Sequence, residues 1–141
     1  MAWLLDTNVL SELRRARPNP NVLAFFARHP IGDFFVSVVS IAEIRFGIEA
    51  SPDAAKRIIL SGWLDQQVRP MFGGRVLAID EEILLRWRQL VEDGRKAGHT
   101  FSQPDLLIAS TALTHGLTIA TRDQGDFSKT GAKLLDPWKP V

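Results

Sequence analysis

Four carboxylates in this sequence take equivalent places. Asp6 follows the apolar run Ala2-Trp3-Leu4-Leu5, Glu43 and Asp105 each stand three residues after a serine that opens a helical pattern, and Asp123 follows the run Leu117-Thr118-Ile119-Ala120-Thr121. If the runs are strands of a parallel sheet, all four acids fall at its C-terminal edge, where strand ends and helix N-termini meet in one crevice. Gathered there they repel: two unit charges about 4 Å apart cost roughly 4 kcal/mol at an effective dielectric of 20. Protonation or a divalent cation relieves that repulsion, and for a cation an oxygen-only donor set favours Mg²⁺ or Mn²⁺ over Zn²⁺. Such an ion polarises a phosphodiester, lowers the pKa of a bound water and shields the leaving oxygen. The pattern therefore points to hydrolysis of a polyanion.

Each acid also has a local use. Ser40 with Glu43 fits a capping box, Ser102 stands in the same relation to Asp105, and either acid can simply oppose a helix dipole. Asp123 opens a D-x-G-D turn in which aspartates bond locally. Asp6 has no such need if the first helix starts at Asn8, with Thr7 or Asn8 as its cap. The chain has no cysteine, and His29, His99 and His115 lie far apart, outside any metal-binding spacing. A hydrolase here must work with carboxylates. Seventeen Lys and Arg against sixteen Asp and Glu leave a net charge of +1, so counterion release by a strongly basic surface is not what would hold a nucleic acid.

The elements that must position these residues alternate along the 141-residue chain. Ala2 to Leu5 reads as a buried strand, Asn8 to Arg15 as a helix stopped by Arg17-Pro18-Asn19-Pro20, and Asn21 to His29 as a second helix. Phe34 to Val39 reads as a strand ended by Ser40, with a helix from Ile41. A further helix is expected from about Asp53 to Val68 with Ile58, Ile59, Trp63 and Leu64 inward. Val76 to Ala78 is a short strand, Asp80 caps a helix through Arg95, and Ser102-Gln103-Pro104-Asp105 opens one that runs to His115 before Gly116. Leu117 to Thr121 is a strand, Arg122 to Asp126 a loop, and the last strand lies near Lys133-Leu134-Leu135. Strands alternating with helices imply one α/β domain, residues 1–141, with a parallel sheet flanked by helices.

At these residues the chain resembles the PIN-domain ribonucleases, and within them the VapC toxins of the FitB-like branch. The likeness rests on LLDTNVLSEL (Leu4 to Leu13), VSVVSIAEIRFGI (Val36 to Ile48), SQPDLLIASTAL (Ser102 to Leu113) and TIATRDQGDF (Thr118 to Phe127). It implies a three-layer sandwich, Mg²⁺- or Mn²⁺-dependent endoribonuclease activity, and inhibition by a small cognate antitoxin. The family's metal-binding and catalytic acids fall on Asp6, Glu43, Asp105 and Asp123. Thr121 and Asn8 match supporting polar positions, while Asp126 is read as a turn or neighbouring acid. A homodimer is also implied, with Trp63 and Phe72 as its suspected contacts.

Arg14, Arg15, Arg45 and Arg122 lie close in sequence to the acids and can steer phosphates. His99 is read as a surface loop residue, and Trp63 and Trp87 as core or dimer contacts rather than base-stacking platforms. The opening MAWLLDTN is no signal peptide and no apolar run reaches the length of a membrane span, so a cytoplasmic protein is expected. Two other functions compete. A non-enzymatic PIN-like binding module is opposed by the full set of acids, and a phosphatase would need a second aspartate where Asn8 stands.

Overall fold

A computed structural model describes residues 1–140, so Val141, the last residue of the expected domain, lies outside the described residues. Five strands, β1 (Trp3–Leu5), β2 (Phe34–Ser37), β3 (Val76–Leu77), β4 (Thr118–Ala120) and β5 (Leu134–Leu135), form one parallel sheet in the order β3-β2-β1-β4-β5. β1 is central: Trp3 pairs with Phe34 on one side and with Thr118 on the other. Side chains alternate across it, as the pleat requires. Trp3 and Leu5 enter one apolar core and Leu4 the other, so both faces are buried and the strands read as unbroken apolar runs.

Helices α1 (Thr7–Leu13), α2 (Pro20–Ala27), α3 (Val38–Glu49), α4 (Ala54–Trp63) and α5 (Arg69–Phe72) cover the first face. Helices α6 (Glu81–Lys96), α7 (Gln103–His115) and α8 (Gln124–Phe127) cover the second. The result is the three-layer α/β arrangement expected from the sequence. Asp80 caps α6 by accepting the Ile83 N–H at 3.0 Å, and Ser102 caps α7 by accepting the Asp105 N–H at 3.3 Å. Gly94 lets α6 turn closely into α7. A Cβ there would stand 2.9 Å from the His99 carbonyl and 3.0 Å from the Phe101 ring.

Several local expectations are corrected. The second strand ends at Ser37, not Val39, because the Ser37 hydroxyl accepts the Val39 N–H at 3.0 Å and starts α3 at Val38, directly after the last paired residue. Ser40 is therefore no cap. It lies buried in the helix with its hydroxyl unpartnered, and Glu43 completes no capping box. The first helix begins at Thr7 rather than Asn8, and Asp6 is its N-cap.

The helix expected to run to Val68 stops at Trp63 and passes through a π-helical turn, Leu64–Val68, into α5. Its inward stripe is Leu60, Trp63 and Leu64, spaced as one helix face, and this leaves Ile58 and Ile59 outside at 74% and 70% exposure. Phe72, suspected as a dimer contact, is fully buried beneath that turn. The segment after Asp123 is the short helix α8 rather than a loop.

Candidate functional site

The strand order reverses at β1. The chain runs outward to β2 and β3 on one side, and β4 and β5 lie on the other, so the crevice opens beyond the C-terminal ends of β1 and β4. Asp6 stands at that point. Its backbone N–H donates to the Ala120 carbonyl at 3.0 Å and so extends the β1–β4 ladder by one residue. Its carboxylate is then held from two sides: Oδ1 accepts the Thr7 N–H at 2.8 Å and Oδ2 accepts the Thr121 hydroxyl at 2.7 Å. Only 6% of the residue is exposed.

Thr121 is the hub of this arrangement. While donating to Asp6, its hydroxyl oxygen accepts the Asp123 N–H at 3.0 Å and the Asn8 amide at 3.3 Å. The Asn8 Nδ2 also donates to Asp123 Oδ2 at 3.2 Å, which fixes the amide's orientation and leaves Asn8 Oδ1 buried with no partner. Asp123 is thus tied to the β1 end through two residues that the sequence had marked as supporting positions.

Asp105 enters from the first turn of α7, half-buried. Burial pushes its carboxyl above the ordinary range, a hydrogen bond from Ser102 offsets part of this, and the charges of Asp126 and Asp123 add to the rise. Asp6 is raised in the same way. Burial is the main cause, the Thr121 and Thr7 hydrogen bonds oppose it, and the charges of Asp105 and Asp123 reinforce it. These residues therefore sense one another across the crevice. Glu43 reaches the same place from α3, although it is exposed. All four acids line one open cleft of about 690 Å³.

Among the described residues, no three acidic or histidine side chains already converge on metal-ligating geometry. The chemistry of the donor set nevertheless fits a hard divalent cation. The donors are carboxylates, two of them are disfavoured as anions by burial and by neighbouring acids, and a buried amide oxygen lacks a donor. Arg14, Arg15 and Arg122 also line the cleft, but Arg45 does not. It spends its charge on Glu49 at 3.0 Å along α3.

Glu12 and Trp138 are among the lining residues that the sequence alone did not mark. Glu12 is buried and accepts the Asn19 N–H at 2.9 Å, pinning the link from α1 to α2; the helix-breaking Arg17-Pro18-Asn19-Pro20 segment was the available signal. Trp138 comes from the tail beyond β5, where no periodicity marks it.

Comparison with known proteins matches this arrangement. The PIN domain family model matches residues 3–133. The chain is 36% identical over 138 residues to the VapC ribonuclease Y4jK of Sinorhizobium fredii, covering 98% of this chain and 99% of that protein. It is likewise 36% identical over 135 residues to Toxin FitB of Neisseria gonorrhoeae, covering 96% and 97%. The crystal structure of FitAcB from Neisseria gonorrhoeae superposes with a TM-score of 0.89 at 35% identity, over 96% of this chain and 98% of that one. With a family match over nearly its whole length and relatives above one-third identity, the chain belongs to the PIN-domain family, in the branch that holds the VapC and FitB proteins.

Proposed function

We propose that this chain is the toxin of a toxin–antitoxin pair and acts as a divalent-metal-dependent endoribonuclease through Asp6, Glu43, Asp105 and Asp123. The observation that carries the reading is Asp6: a buried carboxylate, raised by burial and by two neighbouring acids, at the point where β1 and β4 diverge. Relatives named VapC ribonuclease and Toxin FitB support it.

Asp6, Glu43 and Asp105 would hold the cation, and Asp123, oriented by Asn8 and Thr121, would join them. When bound, Mg²⁺ or Mn²⁺ would supply charge neutralisation for the phosphodiester and ease the deprotonation of the attacking water. Thr121 keeps Asp6 aimed into the cleft, and the Thr7 N–H stops the carboxylate from turning away. The antitoxin relieves the same repulsion with a cationic side chain; arginine suits this because its planar fork binds carboxylates in pairs. Among the described residues, no helix is long and apolar enough to cross a membrane. We assign the protein to the cytoplasm, as one domain that pairs into a homodimer.

The test is cleavage of single-stranded RNA by the purified chain. Activity should appear with Mg²⁺ or Mn²⁺, stop with EDTA, and be lost in a folded Asp105→Asn variant. Cleavage that persists in EDTA, or in an Asp6→Asn, Asp105→Asn double variant, contradicts the reading.

A further inference from the structure

Two arginine–tryptophan pairs border the acidic cleft, and the chemistry of the acids does not require them. The Arg14 guanidinium lies 6.0 Å from the centre of the Trp63 ring, and the Arg122 guanidinium lies 5.2 Å from the centre of the Trp138 ring. The first pair joins the end of α1 to the end of α4; the second joins the residue group after β4 to the tail after β5. Arg14, Arg122 and Trp138 line the acidic cleft itself. Arg14 and Glu43 also line an adjoining groove of about 310 Å³ that holds Trp63. The second pair thus lines the acidic cleft, and the first spans from it into the adjoining groove through Arg14.

In a cleft so rich in carboxylates, the ordinary course for an arginine is an ion pair. Arg15 takes it, with Glu12 at 3.5 Å. Among the described residues, neither Arg14 nor Arg122 has a carboxylate within 4.0 Å. A guanidinium laid over an indole uses its face and leaves its N–H edge, five donors in one plane, unspent. That edge suits the paired oxygens of a phosphate. Both arginines are exposed while both indoles are half-buried and packed on the core beneath. Trp138 is further fixed through its backbone: its carbonyl accepts Asn21 Nδ2 at 2.7 Å, and its N–H donates to Asp136 Oδ1 at 2.9 Å.

We propose that the two pairs are nucleotide-binding subsites beside the acid group, holding single-stranded RNA by phosphate and by base; this rests on the ribonuclease reading above. A polyanion entering this cleft meets four carboxylates, and a cation among them relieves repulsion only at the reacting phosphate. The flanking phosphates need their own positive partners, and Arg14 and Arg122 line the same cleft with no carboxylate partner of their own among the described residues. The outer face of a guanidinium stacked on an indole accepts an unpaired base of any identity, because every base has a π face. Unstacked bases are available in single strands and loops and not within a duplex. Trp63, expected from the sequence to be a core or dimer contact, thereby gains a substrate role.

The experiment is steady-state cleavage of a labelled single-stranded oligoribonucleotide by the wild type, Arg14→Gln, Arg122→Gln and the double variant, with circular dichroism to verify folding. We expect KM to rise about fivefold or more for each single change and to compound in the double, with kcat within about twofold. The log–log salt dependence should become shallower by about 0.7 for each arginine removed. A second arm leaves the protein untouched. Wild type is given RNA that lacks the bases on both sides of the cleaved bond, and KM should rise about fivefold or more, as expected for lost base stacking. Unchanged KM in both arms overturns the subsites while the nuclease reading stands, since wild type still cleaves. No metal-dependent cleavage by wild type overturns both together. Variants that keep KM but escape inhibition by the antitoxin assign the pairs to the protein partner and overturn the proposal.

Discussion

Asp6 and Asp80 each follow a strand, each stand one residue before a helix in extended backbone, and each accept a hydrogen bond from that helix's free N–H groups. As caps they do the same work, yet their surroundings separate them. Asp80 lies beyond β3 at the edge of the sheet, exposed, with the Ile83 N–H as its carboxylate's only partner among the described residues. Asp6 lies beyond the central strand, buried, tied across to Thr121 and within reach of the charges of Asp105 and Asp123. The local rule that places an aspartate before a helix is thus indifferent to function. What gives Asp6 its chemistry is the strand beside it.

The largest test of that contrast is to remove one charge from each region. Asp6→Asn keeps a competent cap, because asparagine caps as well as aspartate does, and should lower metal-dependent cleavage by more than about a hundredfold. That is the upper end of what losing even an outer partner of a metal ligand costs. Asp80→Asn should leave the rate unchanged. Equal losses in single-turnover assays would erase the distinction.

A smaller effect is expected at the tie between the strands. Thr121→Val removes the hydroxyl that donates to Asp6 and accepts from Asp123, at nearly constant volume. Activity should fall about tenfold to a hundredfold, and the acid limb of the pH–rate profile should move to higher pH. A lost hydroxyl that merely loosened the fold would lower Tm without moving the profile.

The same contrast sets the pH dependence of stability. Asp6 and Asp105 hold their protons to higher pH in the folded chain than at the ordinary value of 3.8. Between that value and the raised one, the folded state binds more protons than the unfolded, so their contribution to stability falls as pH rises through the window. Metal-free Asp6→Asn should therefore melt above the wild type at pH 7, with the gap closing toward pH 4. Mg²⁺ should raise the wild-type Tm more at pH 7 than at pH 5. A gap that widens on acidification would reverse the sign assigned here. Last and smallest, Asp80→Ala should cost about 1 kcal/mol of stability as a lost cap, measured by urea unfolding, with cleavage intact.

Much of this was legible because strand ends and helix starts carry local signals. The apolar runs ending at Asp6 and Thr121, and the Ser102-Gln103-Pro104-Asp105 start, place three of the acids correctly along the chain. Glu43 was placed near the right position for the wrong reason. Ser37 and Ser40 both offer a cap, and the β-branched Val38-Val39 between them reads as strand until the Ser37 hydroxyl is seen taking the Val39 N–H. The phase of α4 was misread because Ile58 and Ile59 are as apolar as Leu60 and Trp63, and only packing decides which pair turns inward. The order β3-β2-β1-β4-β5, which brings Asp6 against Thr121, has no local signature, and neither does the return of Trp138 to the cleft.

The most direct measurement of the central claim is the affinity of the metal-free protein for Mn²⁺, by titration calorimetry, in wild type, Asp6→Asn and Asp80→Asn. The crevice between β1 and β4 predicts that wild type and Asp80→Asn bind alike, and that Asp6→Asn binds more than about tenfold weaker. Unweakened binding by Asp6→Asn would contradict the account, because the acid at the strand crossing would then not be the one that holds the cation.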